Sequence, residues 1–132
     1  MSAPPDSTMT CVLDAQASLG ECPLWSTAEQ VLYWIDINAP ALHRFDPRSG
    51  TNTTMPMPSS IGSYALRARG GFVLALRDGV YLAAADGRIE RKVADAPYDP
   101  AHERFNDGRC DPRGRFLVGT MNERRDGPTG AL

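Results

Sequence analysis

The chain is 132 residues long, and its 14 basic and 16 acidic residues leave a formal net charge of -2. This near balance excludes the strongly basic surface of a nucleic-acid-binding protein and the basic patch of a membrane-surface protein. No apolar run approaches the roughly 18–20 residues that are needed to span a bilayer. We therefore expect a cytoplasmic protein whose partner is a small molecule, with no nucleic-acid or membrane partner.

The N-terminal segment has neither the basic region nor the apolar region of a secretory signal peptide. Residues 1–9 are predicted to form a disordered tail, and residues 10–132 are predicted to form one domain. Within that domain, residues 10–15 have the pattern of a strand. In a fold whose sheets form a closed ring, such an N-terminal strand would close the ring by pairing with strands beyond residue 132. The chain is therefore expected to be the N-terminal part of a longer domain, and we expect its exposed sheet edge to favour self-association.

The cysteines and histidines predict no metal or redox site of their own. Cys11, Cys22 and Cys110 are odd in number and share no C-x-x-C spacing. We expect them to be buried thiols rather than a zinc knuckle or a redox pair. His43 and His102 do not form an H-x-x-x-H arrangement, so a histidine-based metal site is not expected either.

In chain order, short apolar or β-branched runs alternate with turn residues. No longer stretch keeps apolar side chains at helical spacing without a Gly or Pro, which favours an all-β fold. Two of the turns share one chemistry, DPRSG at residues 46–50 and DPRG at residues 111–114. In such turns Asp bonds its own backbone, Pro sets φ and Gly takes a positive φ. The predicted strands are residues 22–25, 31–36, 42–46 and 51–57, then 63–67, 71–76, 79–84 and 87–93, and finally 107–111 and 114–120.

The predicted strands also recur as units. The run that begins at residue 31 is repeated at residues 71 and 115, which gives offsets of 40 and 44 residues. A four-stranded propeller blade has a period of about 40–45 residues. We therefore predict a partial β-propeller of about two and a half blades, each a four-stranded antiparallel sheet, with residues 130–132 beginning a third strand of the last unit. A small β-sandwich or barrel is the alternative fold.

The densest polar cluster is RFNDG at residues 104–108. Taken alone, Asn-Asp-Gly is a common turn sequence. By the repeat alignment, however, the cluster lies where an innermost blade strand begins, at the mouth of the central channel. The cluster is therefore a candidate location for polar side chains that face the channel.

Glu21 occupies the equivalent location in the first unit. An ionised Glu is rarely buried without a partner, so a carboxylate directly ahead of an apolar innermost strand is unusual for packing. One interpretation is a solvated loop residue. The other is an oxygen ligand that points into the channel, which would suit a hard divalent cation.

These motifs resemble those of the senescence marker protein, gluconolactonase and luciferin-regenerating enzyme family. The resemblance covers residues 11–132. It is carried by LGECPLW at residues 19–25, LYWID at 32–36, RFNDG at 104–108, DPRGRF at 111–116 and VGTM at 118–121.

The resemblance implies a six-bladed propeller that hydrolyses sugar lactones with a divalent metal, calcium or zinc, with manganese and magnesium as alternatives. It implies that Glu21 is a metal ligand and that Arg104 and Asn106 face the substrate or the water shell of the metal. It also implies that further ligands and the general base lie beyond residue 132, so no catalytic residue is assigned within this chain. The chain by itself is then an incomplete, inactive part of the enzyme.

One position departs from the family pattern, and two other functions are compatible with the sequence. Some family members place an acidic substrate contact three residues after GTM, where this chain has Arg124, with Glu123 beside it; we do not transfer that role. A non-catalytic calcium- or ligand-binding propeller is the first alternative function. A small β-sandwich interaction domain without a site is the second, and it would place Glu21 and Asn106 far apart.

Overall fold

The computed structural model describes residues 9–132, and in that range it contains ten strands and no helix. Residues 1–8, nearly all of the predicted disordered tail, lie outside the described residues. Between residues 9 and 132 there is accordingly no helix long and apolar enough to cross a membrane. The strands are β1 (Gly20–Ser26), β2 (Val31–Asp36), β3 (Ala41–Asp46), β4 (Thr51–Pro56), β5 (Ile61–Leu66), β6 (Phe72–Leu76), β7 (Gly79–Ala83), β8 (Ile89–Asp95), β9 (Glu103–Cys110) and β10 (Phe116–Asn122).

The strands form three antiparallel sheets in which neighbours in sequence are neighbours in space. Strands β1 to β4 form blade 1, β5 to β8 form blade 2, and the pair β9 and β10 belongs to blade 3. The predicted Asp-Pro turns connect strands as expected, because Gly50 and Gly114 close them with φ of 70° and 77°. The repeat-based prediction of an all-β chain with about two and a half propeller blades is confirmed.

The hydrophobic core lies between blade 1 and blade 2. Strands β2 and β6 carry its centre, where Val31, Ile35 and Leu74 are fully buried. Tyr33 and Phe72 join the two sheets, with ring centroids 5.4 Å apart in an edge-to-face arrangement. Such aromatic pairs add to the stabilisation that comes from the buried apolar area. Blade 1 and blade 2 are therefore held together by a continuous apolar interface.

The prediction for the start of β9 was wrong. Residues 107–111 were predicted as the strand, but β9 begins at Glu103, so Arg104 and Asn106 lie inside it. The added residues pair with the end of β10, past a register shift that follows Val118. A bulge lets two strands pair on both sides of a register shift. Strand β9 therefore continues through Asn106, Asp107 and Gly108, although these residue types are common in turns.

The expectation of three buried cysteines was also wrong. Cys11 and Cys110 are exposed, whereas Cys22 is partly buried. Cys11 lies in irregular chain ahead of β1, and Cys110 is the last residue of β9 in the two-stranded sheet. Neither location is covered by a packed layer of the described residues.

The two predicted terminal strands do not form. Residues 10–15 have no regular secondary structure, and neither do residues 130–132. The backbone N–H of Thr120 nevertheless donates to the C=O of Ala131 at 2.8 Å. The last residues thus contact the free edge of β10 through one strand-like hydrogen bond.

Candidate functional site

The innermost strands of the three blades, β1, β5 and β9, meet around Cys22. Its thiol donates hydrogen bonds to the C=O of Gly62 in β5 at 3.5 Å and to Oδ1 of Asp107 in β9 at 3.3 Å. The hydroxyl of Tyr64 in β5 donates to the C=O of Cys22 at 3.0 Å. We call this meeting point, defined by Cys22, Gly62, Tyr64 and Asp107, the junction.

The junction depends on a close approach of β5 and β9. A Cβ atom at Gly62 would lie 2.3 Å from the backbone oxygen of Phe105, closer than real Cβ atoms come to any heavy atom. Only glycine at this position lets the two backbones pack at this distance. This glycine therefore sets the position of β9, and with it the position of Arg104 and Asn106.

A bulge in β1 orients the residues around Glu21. The register of β1 against β2 shifts between Glu21 and Leu24. Pro23 has no N–H to donate to the ladder, and Cys22 has a φ of 51°. A positive φ at a residue other than glycine is strained, and such strain concentrates at functional sites.

The structure brings the neighbours of Glu21 and Asn106 together. Cys22 and Asp107 directly follow these two residues in sequence, and their side chains are in contact. Glu21 and Asn106 are both exposed. Among residues 9–132 no protein hydrogen bond engages the Glu21 carboxylate, so its oxygen atoms are available to a ligand.

Arg104 and Asn106 form a hydrogen-bonded pair within β9. Arg104 is 8% exposed, and its Nη1 donates to the C=O of Phe105 at 2.9 Å and to Oδ1 of Asn106 at 3.1 Å. The Asn106 oxygen keeps a second lone pair, and its Nδ2 keeps two donors. The pair thus offers both donors and an acceptor to a polar molecule.

The thiol of Cys22 is a hydrogen-bond donor at the junction. Burial is the largest cause that raises its pKa, and together with the hydrogen bond to Asp107 and the negative charges of Asp107 and Glu21 it brings the pKa to about 12. At neutral pH the thiol is therefore protonated, and a protonated thiol is neither a nucleophile nor a soft metal ligand. The donor atoms next to it are the oxygen atoms of carboxylates and an amide.

Ser63 leaves an unpaired polar atom beside the junction. It is fully buried in β5, and its Oγ has no hydrogen-bond partner among the described residues. A Cβ at Gly108 would lie 2.6 Å from this oxygen, so β9 passes directly over it. Tight packing between β5 and β9 explains why this hydroxyl is enclosed.

The oxygen donors near the junction fit part of a divalent metal site. Carboxylate and amide oxygen atoms are the ligands that calcium, magnesium and manganese prefer, and zinc also accepts carboxylates. Residues 9–132 contain no group of three or more His, Cys, Asp or Glu side chains placed to hold a metal ion. Glu21 therefore fits one ligand of such a site, and the described chain does not supply the others.

Sequence analysis missed a charged network beside Arg104. The carboxylate of Glu123, just after β10, pairs with Arg77 through Oε2 and lies 3.5 Å from Nε of Arg104 through Oε1. Arg77 follows β6 in blade 2, 46 residues away from Glu123 in sequence. Nothing in the local sequence around Arg77 or Glu123 indicates this contact.

One cavity lies away from the junction. It measures about 520 Å³ and lies between blades 1 and 2, lined in part by Ser26, Glu29, Tyr33 and Arg67. Ser26 is the last residue of β1 and Glu21 is near its start. The cavity and the candidate site are therefore at opposite ends of the innermost strand.

Successive antiparallel four-stranded blades, with polar residues gathered where the innermost strands meet, define a β-propeller with a candidate binding site at that meeting point. The comparison with family models gives the particular family. The chain belongs to the family described as the SMP-30/Gluconolactonase/LRE-like region, whose model matches residues 19–132.

Individual relatives are similar over most of this chain. It is 49% identical to the 6-deoxy-6-sulfogluconolactonase of Pseudomonas putida over 96% of its length, and 38% identical to the pentonolactonase XacC of Haloferax volcanii over 86%. The crystal structure of a calcium-binding protein, regucalcin, from Agrobacterium tumefaciens matches with a TM-score of 0.74 and 26% identity, over 86% of this chain and 39% of that one. This chain covers 44% of the Pseudomonas protein and 38% of the Haloferax protein. It thus spans less than half the length of these curated relatives.

Proposed function

We propose that this chain forms the first blades of a sugar-lactone hydrolase that depends on a divalent metal. The observation that carries the proposal is the Cys22–Asp107 contact, which joins the strands of Glu21 and Asn106 at one junction. The names of the lactonase relatives from Pseudomonas and Haloferax support the choice of a sugar lactone as substrate. The two strands contribute a carboxylate, an amide and a guanidinium, which are the groups that such a reaction uses.

In this proposal each residue has a separate role. A bound divalent cation would polarise the lactone carbonyl. Glu21 holds that cation through its free carboxylate oxygen atoms. Asn106 orients the substrate or water through its amide, and Arg104 binds the sugar hydroxyls or the negative charge that develops on the carbonyl oxygen. The general base is not among the residues assigned here, and we expect it in the part of the relatives that this chain does not cover.

The first experiment tests Glu21 as a metal ligand. A hybrid protein would join this chain to the part of the Pseudomonas lactonase that it does not match. We expect Glu21→Gln to weaken calcium, manganese or zinc binding at least about tenfold in calorimetric titration, because a neutral amide replaces an anionic ligand. The thermal unfolding temperature without metal should change little, since Glu21 makes no protein hydrogen bond.

The matched control is Glu90→Gln, which replaces a carboxylate on β8. Glu90 lies on the last strand of blade 2, whereas Glu21 lies on the first strand of blade 1. Metal affinity should be the same in this variant and in the unsubstituted hybrid. Equal affinity in the Glu21→Gln variant and the unsubstituted hybrid would remove Glu21 from the metal site. A hybrid that folds and binds metal but opens no aldonolactone in a pH-indicator assay would contradict the hydrolase proposal itself.

A non-catalytic calcium-binding propeller is the second candidate function. It is favoured by the oxygen-rich junction and by the calcium-binding regucalcin of Agrobacterium, to which this chain is similar. The two functions differ in turnover: both predict metal binding at Glu21, and only the hydrolase predicts lactone opening.

Location and assembly remain predictions from the sequence. We propose a cytoplasmic protein that binds a small molecule and neither nucleic acid nor membrane, as its near-neutral charge favours. We also propose that the free edge of β10 favours self-association of this chain, because unpaired backbone groups along a strand edge can pair with another strand.

A further inference from the structure

Arg77 is the best-anchored charged residue next to the candidate site. Its Nε donates to the C=O of Pro100 at 2.6 Å, and its Nη1 donates to Oγ of Ser60 at 3.4 Å. Its backbone N–H donates to Oγ of Ser59 at 3.2 Å, and its C=O accepts a hydrogen bond from the hydroxyl of Tyr98 at 3.0 Å. The guanidinium thus makes two hydrogen bonds besides its contact with Glu123, and the backbone of the residue makes two more.

Glu123 is held between two guanidinium groups. Its backbone N–H donates to the C=O of His102 at 3.1 Å, which fixes the residue just after β10. Its carboxylate pairs with Arg77 on one oxygen and faces Arg104 on the other. The hydrogen bond from Arg77 lowers the pKa of Glu123, so the carboxylate is ionised at neutral pH.

Arg104 needs this carboxylate. The Arg104 side chain is only 10% exposed, and a buried charge is costly unless it is paired. Within residues 9–132, Glu123 is the acidic residue with which Arg104 forms an ion pair. The side-chain hydrogen bonds of Arg104 run to Phe105 and Asn106 in its own strand.

We propose that Arg77 and Glu123 are positioning residues for Arg104 and Asn106. Three contacts connect these residues in sequence. Arg77 in blade 2 pairs with Glu123, Glu123 pairs with Arg104, and Arg104 donates a hydrogen bond to the amide oxygen of Asn106. Blade 2 thereby sets the orientation of two side chains in blade 3, where β9 has only β10 as a sheet partner. The substrate-binding role of Arg104 and Asn106 rests on the proposed function, whereas the contacts that hold them do not.

Two other roles for Glu123 make different predictions. If Glu123 contacts the substrate itself, changes at Arg77 would not reproduce the effect of changes at Glu123. If the network only stabilises the fold, both changes would lower the unfolding temperature and leave Arg104 as ordered as before. The experiments below separate these roles.

The first experiment measures the order of the Arg104 side chain in the 132-residue chain by NMR. The exchange rate of the Arg104 Nε–H with water reports how far the neighbouring Glu123 carboxylate, 3.5 Å away, keeps water from this group. We expect Glu123→Gln to speed this exchange about tenfold or more, and Arg77→Met to speed it by a smaller factor, because a partly opened contact exposes the donor. Methionine keeps the apolar stem of Arg77 and removes its charge.

The control is the ion pair of Arg67 and Glu90 in blade 2. Its side chains are 28% and 38% exposed, against 29% and 38% for Arg77 and Glu123, and it touches neither Arg104 nor Asn106. Glu90→Gln should leave the exchange of Arg104 unchanged. An unchanged Arg104 signal in both Glu123→Gln and Arg77→Met would overturn the proposal, and Arg77→Lys serves as the second variant if Arg77→Met does not fold.

The second experiment is a double-mutant cycle on lactone hydrolysis in the hybrid protein. We expect Glu123→Gln to raise KM about twofold to fivefold with kcat within about twofold, which is the size expected for a partly exposed ion pair. The double variant with Arg77→Met should be no worse than Glu123→Gln alone, because both act through one contact. Arg77→Lys should recover part of the loss.

The outcomes are distinguishable. Additive losses in KM would mean that Arg77 and Glu123 act separately, and the positioning proposal would be rejected. An inactive unsubstituted hybrid would count against the proposed function, and the exchange rates of Arg104 would still decide the positioning proposal.

Discussion

The strand pair of blade 3 contains the same kinds of strands and turns as blades 1 and 2. Its residues, however, are much less buried than those of the other two blades. The core cluster between blades 1 and 2 includes residues from most of their strands, whereas in β9 and β10 only Arg104 and Phe105 are buried. Leu117 in β10 remains 44% exposed. Blade 3 has two strands among the described residues, against four in each of the other blades, so it offers less surface to bury against its neighbour.

The candidate site lies on the border between these two regions. Glu21 comes from the well-packed region, and Arg104 and Asn106 come from the sparsely packed one. Their relative position depends on the contacts that join the regions, which include those of Cys22, Gly62 and the Arg77–Glu123 pair. Stability and site geometry are therefore determined by different residues, which substitutions can separate.

The largest expected effect contrasts the two regions directly. Phe72→Ala should lower the free energy of unfolding by about 3–5 kcal/mol, because it empties a buried site between the sheets. Leu117→Ala, in the exposed region, should change it by less than about 0.5 kcal/mol. Urea unfolding followed by tryptophan fluorescence measures both, and a similar cost for the two variants would contradict the contrast.

The next effect concerns Asp36, which anchors the entry into β1. Asp36 is a buried residue, 3% exposed. It accepts hydrogen bonds from the backbone N–H groups of Ser18, Leu19, Asn38 and Ala39. We expect Asp36→Ala to cost about 2–3 kcal/mol, since buried donors lose a charged acceptor. The unfolding free energy of the variant and the parent at neutral pH measures this cost.

The same residue makes a prediction about pH. Burial raises the pKa of Asp36, but the four backbone donors lower it by more, so it lies below its ordinary value of 3.8. A lowered pKa in the folded state contributes stability above the unfolded value, and this is lost as pH falls through the folded value. The gap between parent and Asp36→Ala should therefore shrink only below about pH 4. A gap that already shrinks between pH 7 and pH 5 would refute this assignment.

A smaller effect is expected where the two regions touch. In Gly62→Ala the new methyl group would overlap the backbone of Phe105, so β5 and β9 must separate, at a cost of about 1–3 kcal/mol. Amides of β9 and β10 should exchange faster with deuterium, and those of β2 and β3 should not. Gly127→Ala, where nothing lies within 4 Å of the added Cβ, is the control and should leave the exchange of all four strands unchanged.

The smallest expected effect concerns a type of turn that occurs once in each region. Gly50 and Gly114 close related Asp-Pro turns at positive φ with open space around each Cα. Alanine at either position should cost about 1 kcal/mol from the left-handed backbone alone. If unfolding measurements give clearly different costs, the two turns differ in more than their backbone.

Local chemistry was enough to predict the strands of blades 1 and 2. The alternation of apolar residues with Asp, Pro and Gly turns depends on side chains within a few positions, and the strand at residues 31–36 was predicted with its observed bounds. The start of β9 was not predictable in this way, because the residues before Asn106 are aligned by a bulge and by contact with Gly62 in another blade. The exposure of Cys11 and Cys110 was missed for a related reason, since burial depends on which layers cover a strand.

The sequence by itself determined that the chain is all-β, that its units repeat, and that Glu21, Arg104 and Asn106 are the candidates for a site. These features follow from short sequence spacings and from motifs, which can be recognised without knowing which distant residues are in contact. Only the tertiary structure decided that Cys22 contacts Asp107 and that Arg77 reaches Arg104 through Glu123. Such contacts join residues 85 and 46 positions apart, and their geometry exists only once the blades have packed.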